Sequence, residues 1–287
     1  MKLKNLFRSS KKQSQYKEVQ VGQFKLIADS NHPIEEYLTL HRYYSRNLPR
    51  IAKLITQAFP KSSIIDVGAN IGDTVALLRS IGVDNFIYCI EGEPNYFELL
   101  KKNLDQFKNT SATKTYLGEE NKVEQVGFVS KEGTSKLNIQ DGKETAIIKL
   151  DTFIEQQNIS GVKLLKTDTD GFDFKILRGG LNFIKTQKPV LFFEYDADFL
   201  TEQGDDGVSM FDQLSHADYG QALFYDNVGK LLLSTPVNNR TLIEQLYHYT
   251  KGRKASFPYY DVCVFPKENE ELAKEVLKKE TAYFAAN

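Results

Sequence analysis

The sequence has no tryptophan, two methionines, four histidines and only two cysteines among 287 residues. Two cysteines exclude the disulfide framework that holds small secreted domains together. Cys89 and Cys263 each sit in an apolar run, FIYCIE and YDVCVFP, and read as buried strand residues. The histidines show no paired spacing, which excludes a zinc motif. No apolar run approaches the length of a membrane span, and the basic N-terminus MKLKNLFRSSKK lacks the apolar core of a signal peptide. It reads as a solvated tail, the sharper alternative being a weak contact with a membrane surface or a partner. An excess of either charge is missing too: 37 Lys and Arg oppose 38 Asp and Glu, for a formal net charge of -1. That removes the field by which proteins are drawn to nucleic acid or to anionic lipid, and no basic stripe is concentrated beyond the tail. The chain is therefore expected to be cytoplasmic, with no integral membrane segment and no nucleic-acid partner.

What is present is alternation. SSIIDVG, NFIYCIE, VKLLKTD and PVLFFEYD are apolar runs that end on acids. Helical patterns separate them, among them DTVALLRSIG, PNYFELLKKNLDQF and FKILRGGLNFI. Strands alternating with helices imply an α/β fold with a mostly parallel sheet covered on both faces. Further on, VSMFDQLSHAD, TLIEQLYHYTKG and NEELAKEVLKKETAYF read as helices, and QALFYDN, KLLLSTP and DVCVFPK as strands. Short strands between residues 110 and 150 interrupt the pattern, with VEQVGFVS and TSKLNIQ paired as a hairpin across Lys131, Glu132 and Gly133. No repeat or low-complexity linker divides the chain. Residues 1–59 read as a flexible tail to about residue 20, a strand or hairpin arm at 21–29, and a helical cap or lid over 32–59 in which Pro49 marks a break or a new helix start. Residues 60–287 read as the main domain.

In an open sheet of this kind, ligands bind at the carboxyl ends of the strands, near the point where strand order reverses. The first strand ends in Asp66 and the turn GANIG, and the second in Glu91, Gly92 and Glu93. VKLLKTD ends in Asp168, followed by Asp170 and Asp173; PVLFFEYD ends in Glu194, Tyr195 and Asp196. One acid at a strand end means little, but four that share a rim read as a binding cleft. Gly68 and Gly72 let backbone approach a ligand closely. An acid at Glu91 suits the two hydroxyls of a ribose. A pyrophosphate is disfavoured: Asn70 stands where a dinucleotide loop has its middle glycine, and Asp66 and Asp73 repel phosphate. Asp73 also reads as a helix N-cap ahead of Thr74. The acid-rich turn suits a nucleoside with a positive centre, such as S-adenosylmethionine with its sulfonium and amino group.

IDVGANIGDT (65–74), YCIEGEPNYFELLKKNL (88–104), LDTFIE (150–155), LLKTDTDGFDFKILRGG (164–180) and VLFFEYD (190–196) carry a resemblance. In this order they resemble class I S-adenosylmethionine-dependent methyltransferases and, more narrowly, the FkbM family. The resemblance runs through most of the chain from about residue 40. It implies a Rossmann-like sheet of seven mostly parallel strands. It also implies O-methyl transfer to a hydroxyl of a sugar, a glycan or another natural product, with S-adenosylhomocysteine as the cofactor product. Carried over by position, Asp66, Gly68, Asn70, Gly72, Asp73 and Thr74 would surround the methionine part of the cofactor. Glu91 and Gly92 would hold the ribose; Phe128, Val129 and Ser130 would lie against adenine; Asp168 would sit near the transferring methyl group. Family members usually carry Glu where this chain has the shorter Asp in its DTDG and Asp173 block.

An alcohol acceptor needs a base. The candidates are Asp168, Asp170, Glu194 and His216, with the two aspartates first because their strand is expected to be central and beside the first strand. Each has a plainer alternative. Asp168 and Asp170 could cap the following helix, Glu194 could pair with Lys166 or Arg178, and His216 could face the dipole of a helix end. Arg46, in HRYYSRN, either positions the cofactor carboxylate as part of a lid or belongs to a helix packed on the sheet. Asp168, Asp170 and Asp173 raise the question of a divalent metal; they do not match a calcium loop, and metal-free base catalysis is preferred. The amino-methylating signature, Asn or Asp followed by Pro-Pro and an aromatic residue, is absent, which favours oxygen as the acceptor atom. Two rival readings remain: a nicotinamide-dependent oxidoreductase, opposed by Asn70 and the acidic turn, and a catalytically inactive binding protein of the same fold. The acceptor is expected to be a small molecule or glycan. Oligomeric state stays open, a homodimer included, because the helix bearing Leu272, Val276 and Leu277 could dock on its own sheet or on a second subunit.

Overall fold

The computed structural model describes residues 15–131 and 134–286. The chain opens with a hairpin, β1 (Tyr16–Val21) and β2 (Phe24–Asp29), succeeded by helices α1 (Ile34–Leu40) and α2 (Asn47–Ala58). Then come β3 (Ser63–Val67), α3 (Asp73–Ser80), β4 (Phe86–Glu91), α4 (Pro94–Leu104) and β5 (Thr110–Lys114). A small sheet of β6 (Tyr116–Gly118), β7 (Lys122–Lys131) and β8 (Thr134–Lys149) leads into α5 (Leu150–Gln156) and β9 (Val162–Thr167). Next are helices α6 (Asp173–Gly179) and α7 (Leu181–Gln187), strand β10 (Val190–Tyr195) and helices α8 (Ala197–Glu202) and α9 (Ser209–His216). The chain finishes with β11 (Tyr219–Asp226), β12 (Leu231–Pro236), α10 (Arg240–Thr250), β13 (Tyr260–Pro266) and α11 (Glu270–Ala286).

The main sheet has the order β12-β11-β13-β10-β9-β3-β4-β5. Strands β10, β9, β3, β4 and β5 are parallel neighbours, while β13 lies antiparallel between β10 and β11. The sheet has eight strands rather than the expected seven. The extra one is β12, returned antiparallel along β11 by a turn in which Asp226 Oδ1 accepts from Val228 N–H and Lys230 N–H.

Successive side chains of a strand point to opposite faces, so an apolar run can serve two cores. Along β10, Val190 and Phe192 join a core with α2, α3, α4 and α11, while Leu191, Phe193 and Tyr195 join another with α5, α6, α7, α9 and α10. Leu272, Val276 and Leu277 of α11 pack within the first of these, on the chain's own sheet. Cys89 and Cys263 are free and buried. A third, smaller core joins the hairpin to α3 and α4 through Val19, Val21, Leu26 and Ala28 against Ile71, Ala76, Leu77 and Leu99.

The structure refines local expectation at four places. The tail expected to reach about residue 20 ends earlier, because Tyr16–Val21 pairs with β2. The N-terminal helical stretch is interrupted at residues 41–46, ahead of Pro49, which marks a new helix start in the first turn of α2, where its missing N–H is not needed. FKILRGGLNFI is two helices that meet at Gly180, and the first ends on Gly179, which lies against the Gly118 carbonyl where a Cβ would sit 2.1 Å from the oxygen. A further helix, α8, is started by Asp196, whose Oδ1 accepts from Asp198 N–H and Phe199 N–H.

Candidate active site

Because β10, β9, β3 and β4 are adjacent and parallel, their carboxyl ends share one rim. A cleft of about 650 Å³ opens there, within the usual range for a small-molecule site. Gly68, Asn70, Asp73, Glu91 and Gly92 line it on the β3–β4 side, and Asp168, Asp170 and Glu194 on the β9–β10 side. Asp66, Gly72 and Thr74 are buried behind this wall. Arg46 is not part of the lining; it is the residue before α2 and lies near Tyr283 and Arg50. His216 ends α9, also away from the cleft. Val129 and Ser130 are on β7, and their side chains, like that of Phe128, fall outside the described residues. The wall beyond Glu91 is formed by Tyr116 and Leu117.

The turn after β3 is tight for reasons visible at each residue. Gly68 has φ +73°, and a Cβ there would lie 1.9 Å from the Asp168 carbonyl oxygen. The glycine is thus required by the meeting of two strand ends. Asn70 also has positive φ, 48°, a conformation asparagine tolerates. Its N–H donates to Glu91 Oε2 at 2.9 Å, and Glu93 N–H donates to Glu91 Oε1 at 2.8 Å. Two amides from different loops therefore fix the Glu91 carboxylate. Gly72, not Asp73, occupies the N-cap of α3; Asp73 is the first helical residue. Glu93 caps α4 instead, accepting from Tyr96 N–H at 2.7 Å.

Lys166, which the sequence pattern offers only as a partner for Glu194, is buried in the wall of the cleft. On β9, 5% exposed, it places Nζ 2.9 Å from Asp66 Oδ1, 2.9 Å from the Gly68 carbonyl and 3.6 Å from Asp168 Oδ2. Burial opposes its charge, but Asp66, Asp168 and Asp73 outweigh burial and push its pKa up. Lys166 shares a strand face with Leu164, whose alternation marks that face as inward. A lysine on an inner face just before an acidic strand end was the available signal.

The N-terminal segment supplies another wall: His32, Ile34, Tyr37 and Tyr44 line the cleft. His32 is buried, and its Nδ1 accepts from Ile34 N–H at 3.3 Å. The ring proton is therefore on Nε2, 3.1 Å from Asn70 Oδ1, where it donates. Burial lowers the His32 pKa and favours this neutral form. Nothing in HPIEEY distinguished His32 from a residue that merely opens a helix. Tyr44, from the HRYYSRN stretch, is kept a neutral phenol by burial and by Asp168, Asp73 and Asp261.

The carboxylates crowd one another. Burial pushes Asp73 and Asp173 up to about 6 and Glu91 up to about 7. Glu194 is raised further, first by burial and then by Asp168, Asp170, Asp173 and Asp196. Its Oε1 is buried with no hydrogen-bond partner among the described residues. The partners expected for it are engaged elsewhere: Lys166 as described, and Arg178 with Asp205 at 2.6 Å and Glu119 at 2.9 Å. The N-cap of α6 is Phe172, with no side-chain cap, so neither Asp168 nor Asp170 caps that helix. Asp196 serves α8 and an ion pair with Arg253 at 2.7 Å. Tyr259 lines the cleft, whereas Tyr195, Tyr225 and Tyr260 are core residues. Among the described residues, no group of three or more His, Cys, Asp or Glu is arranged to hold a metal ion, and no helix is long and apolar enough to cross a membrane.

The family model of the methyltransferase FkbM domain matches residues 66–220. No curated protein matches the chain. Among solved structures, an FkbM methyltransferase from Methylobacillus flagellatus KT is 16% identical over 57% of this chain and 40% of that one, with a TM-score of 0.40. This chain therefore spans less than half the length of that protein. A precorrin-6y C5,15-methyltransferase from Geobacter metallireducens GS-15 is 12% identical over 71% of this chain and 80% of its own, with a TM-score of 0.36. A tRNA (uracil-54, C5)-methyltransferase from Pyrococcus abyssi, in complex with S-adenosyl-L-homocysteine, is 9% identical over 88% and 44%, with a TM-score of 0.39. These distant likenesses carry no information on chemistry or substrate. The domain match, by contrast, covers more than half of the sequence and contains the strand ends that build the cleft, and on that ground the chain belongs to the FkbM methyltransferase family.

Proposed function

We propose that this protein is an S-adenosylmethionine-dependent O-methyltransferase whose acceptor is a hydroxyl of a sugar, a glycan or a hydroxylated natural product. The observation that carries the reading is the cleft itself: one open rim on which Glu91 is fixed by two amides while Asp73, Asp168 and Glu194 face a shared space. The donor set fits the cofactor. Glu91 presents a held carboxylate suited to a ribose diol, Tyr116 and Leu117 offer an apolar wall for a base, and Asp73 favours a cation. The bound cofactor supplies a methyl group on a sulfonium, already activated for in-line displacement.

What remains for the protein is orientation, exclusion of water and removal of one proton. Asp168 is the first candidate for the last task. Its carboxylate is half exposed to the cleft at 55%, and Lys166 Nζ stands 3.6 Å from Oδ2, so the group is open to substrate with a cation beside it. Asp170 is its near neighbour on the same loop, at φ +50°. Tyr44 and Tyr259, whose pKa values burial raises, stay neutral and act as hydroxyl donors or ring walls and not as bases. His32 holds Asn70, and through it the turn that carries the Glu91 amide bond.

The test is ligand-induced thermal stabilisation with S-adenosylhomocysteine and with NAD, in wild type and Glu91→Ala. A ligand that binds only the folded chain raises its melting temperature, by about 2.7 kcal/mol of stability at a hundredfold excess over Kd. Stabilisation by S-adenosylhomocysteine alone, reduced in the variant, is expected. Stabilisation by NAD alone, or by neither ligand, overturns the cofactor reading.

A further inference from the structure

The cleft has an unusual charge balance. Among the described residues, seven carboxylates line it, Asp73, Glu91, Glu93, Asp168, Asp170, Glu194 and Asp196, against two cations, Lys166 and Arg253. Both cations are already committed. Lys166 is held between Asp66 and Asp168, and Arg253 between Asp196 at 2.7 Å and Asp198 at 3.2 Å. Each is therefore already paired with two carboxylates before an anionic ligand arrives. On the acids' side, Glu91 and Glu93 are satisfied by backbone amides, and Asp196 by a helix N-terminus and Arg253. Glu194 is different. It lies one residue before the end of β10 and lines the cleft beside Asp168 and Asp170, yet its buried Oε1 has no hydrogen-bond partner among the described residues. A buried polar atom without a partner carries a full desolvation cost, which a ligand that donates to it removes.

The surroundings define the donor. Tyr37, Tyr44 and Tyr259 also line the cleft, and a neutral phenol ring attracts a cation through its face. Asp168, Asp170, Asp173 and Asp196 all face Glu194 and disfavour its ionisation, as burial does; Tyr259 stands beside it. An incoming positive group relieves that repulsion, whereas an incoming phosphate or carboxylate compounds it.

We infer that the β9–β10 side of the cleft receives an acceptor bearing an ammonium group, a hydroxylated amine of the amino-sugar or aminocyclitol class, with Glu194 as the ammonium partner, and that it rejects phosphorylated and carboxylated acceptors. The inference rests on the methyltransferase reading and narrows its acceptor. The ammonium stays protonated and the methyl-accepting atom remains a hydroxyl oxygen, whose proton passes to Asp168. The ammonium favours the ionised form of Glu194, which burial and the neighbouring acids disfavour.

A matched set of probes tests this: glucosamine, glucose and glucose 6-phosphate, titrated by ligand-observed NMR onto protein saturated with S-adenosylhomocysteine. Glucosamine is expected to bind about tenfold or more tightly than glucose, as one charge-assisted hydrogen bond would give, and glucose 6-phosphate more weakly than either. Glu194→Gln, which keeps the shape of the side chain, is expected to abolish the preference while retaining S-adenosylhomocysteine binding. Glucosamine binding no tighter than glucose, or a preference that survives Glu194→Gln, overturns the inference and leaves the cofactor reading standing. Failure of S-adenosylhomocysteine to bind at all overturns both, which keeps the two failures distinct.

Discussion

Glu194 puts the energetics of the cleft into one side chain. A carboxyl group whose pKa is raised on folding binds its proton more tightly in the native chain than in the unfolded one. Its contribution to stability is intact below the unfolded value and is lost as pH climbs towards the folded value. For Glu194 that window opens at the ordinary 4.5 and extends well above it, because burial and four neighbouring carboxylates favour the neutral acid. The amide in Glu194→Gln never ionises. The variant is therefore expected to match wild type in stability near pH 4 and to exceed it increasingly at higher pH. Urea unfolding at a series of pH values measures the difference, and a difference independent of pH refutes the account. At this scale the sequence was legible where a residue's place came from strand alternation alone. Asp66, Glu91, Asp168 and Glu194 all lie at or just past strand ends, as the pattern of apolar runs implied. Lys166 was legible only as an inward-facing lysine and His32 not at all, because their roles come from partners far along the chain: Asp66 is reached across adjacent strands and Asn70 across a loop.

The loops at the strand ends are set by backbone contacts more than by side chains. Gly68 illustrates this, for two separate demands fall on it: a left-handed conformation at φ +73° and the Asp168 carbonyl in the place of its Cβ. Gly161 also has positive φ, +68°, but nothing lies within 4 Å of where a Cβ would be. The pair separates backbone strain from steric exclusion. Gly161→Ala is expected to cost about 1–2 kcal/mol, the penalty for a left-handed L-residue. Gly68→Ala is expected to cost about 3 kcal/mol or more, since the β9–α6 connection must move away from β3. Equal costs in denaturant titrations would mean that the two strand ends are not tightly apposed. Element types were readable from apolar periodicity, and the boundaries that shifted lie beside such contacts. The split between α6 and α7 falls beside the approach of Gly179 to Gly118, and the break before α2 at the turn at residues 41–46. Neither contact can be seen in a local window of sequence.

Across the molecule, the cleft gathers segments remote in sequence: residues 32–44, the turns after β3 and β4, the loop after β9, the end of β10 and residues 253–259. The parallel sheet explains the middle four, because adjacency and direction bring their strand ends together. The first segment is held differently. The hairpin β1–β2 packs on α3 and α4 through its own small core, and the hydrogen bond from His32 to Asn70 ties residues 32–44 to the glycine turn. A ligand that stabilises the turn should therefore also stabilise the N-terminal segment, since opening either exposes shared contacts. Hydrogen exchange with and without S-adenosylhomocysteine examines this. Slower exchange is expected in residues 66–75 and 90–96 and equally in residues 32–44, with α10, which packs on the other side of the sheet, unchanged. His32→Ala removes the hydrogen bond to Asn70 and should uncouple the two responses: protection persists at the turn and fades over residues 32–44. Protection confined to the strand-end turns in wild type would instead make the N-terminal segment a passive neighbour of the cleft.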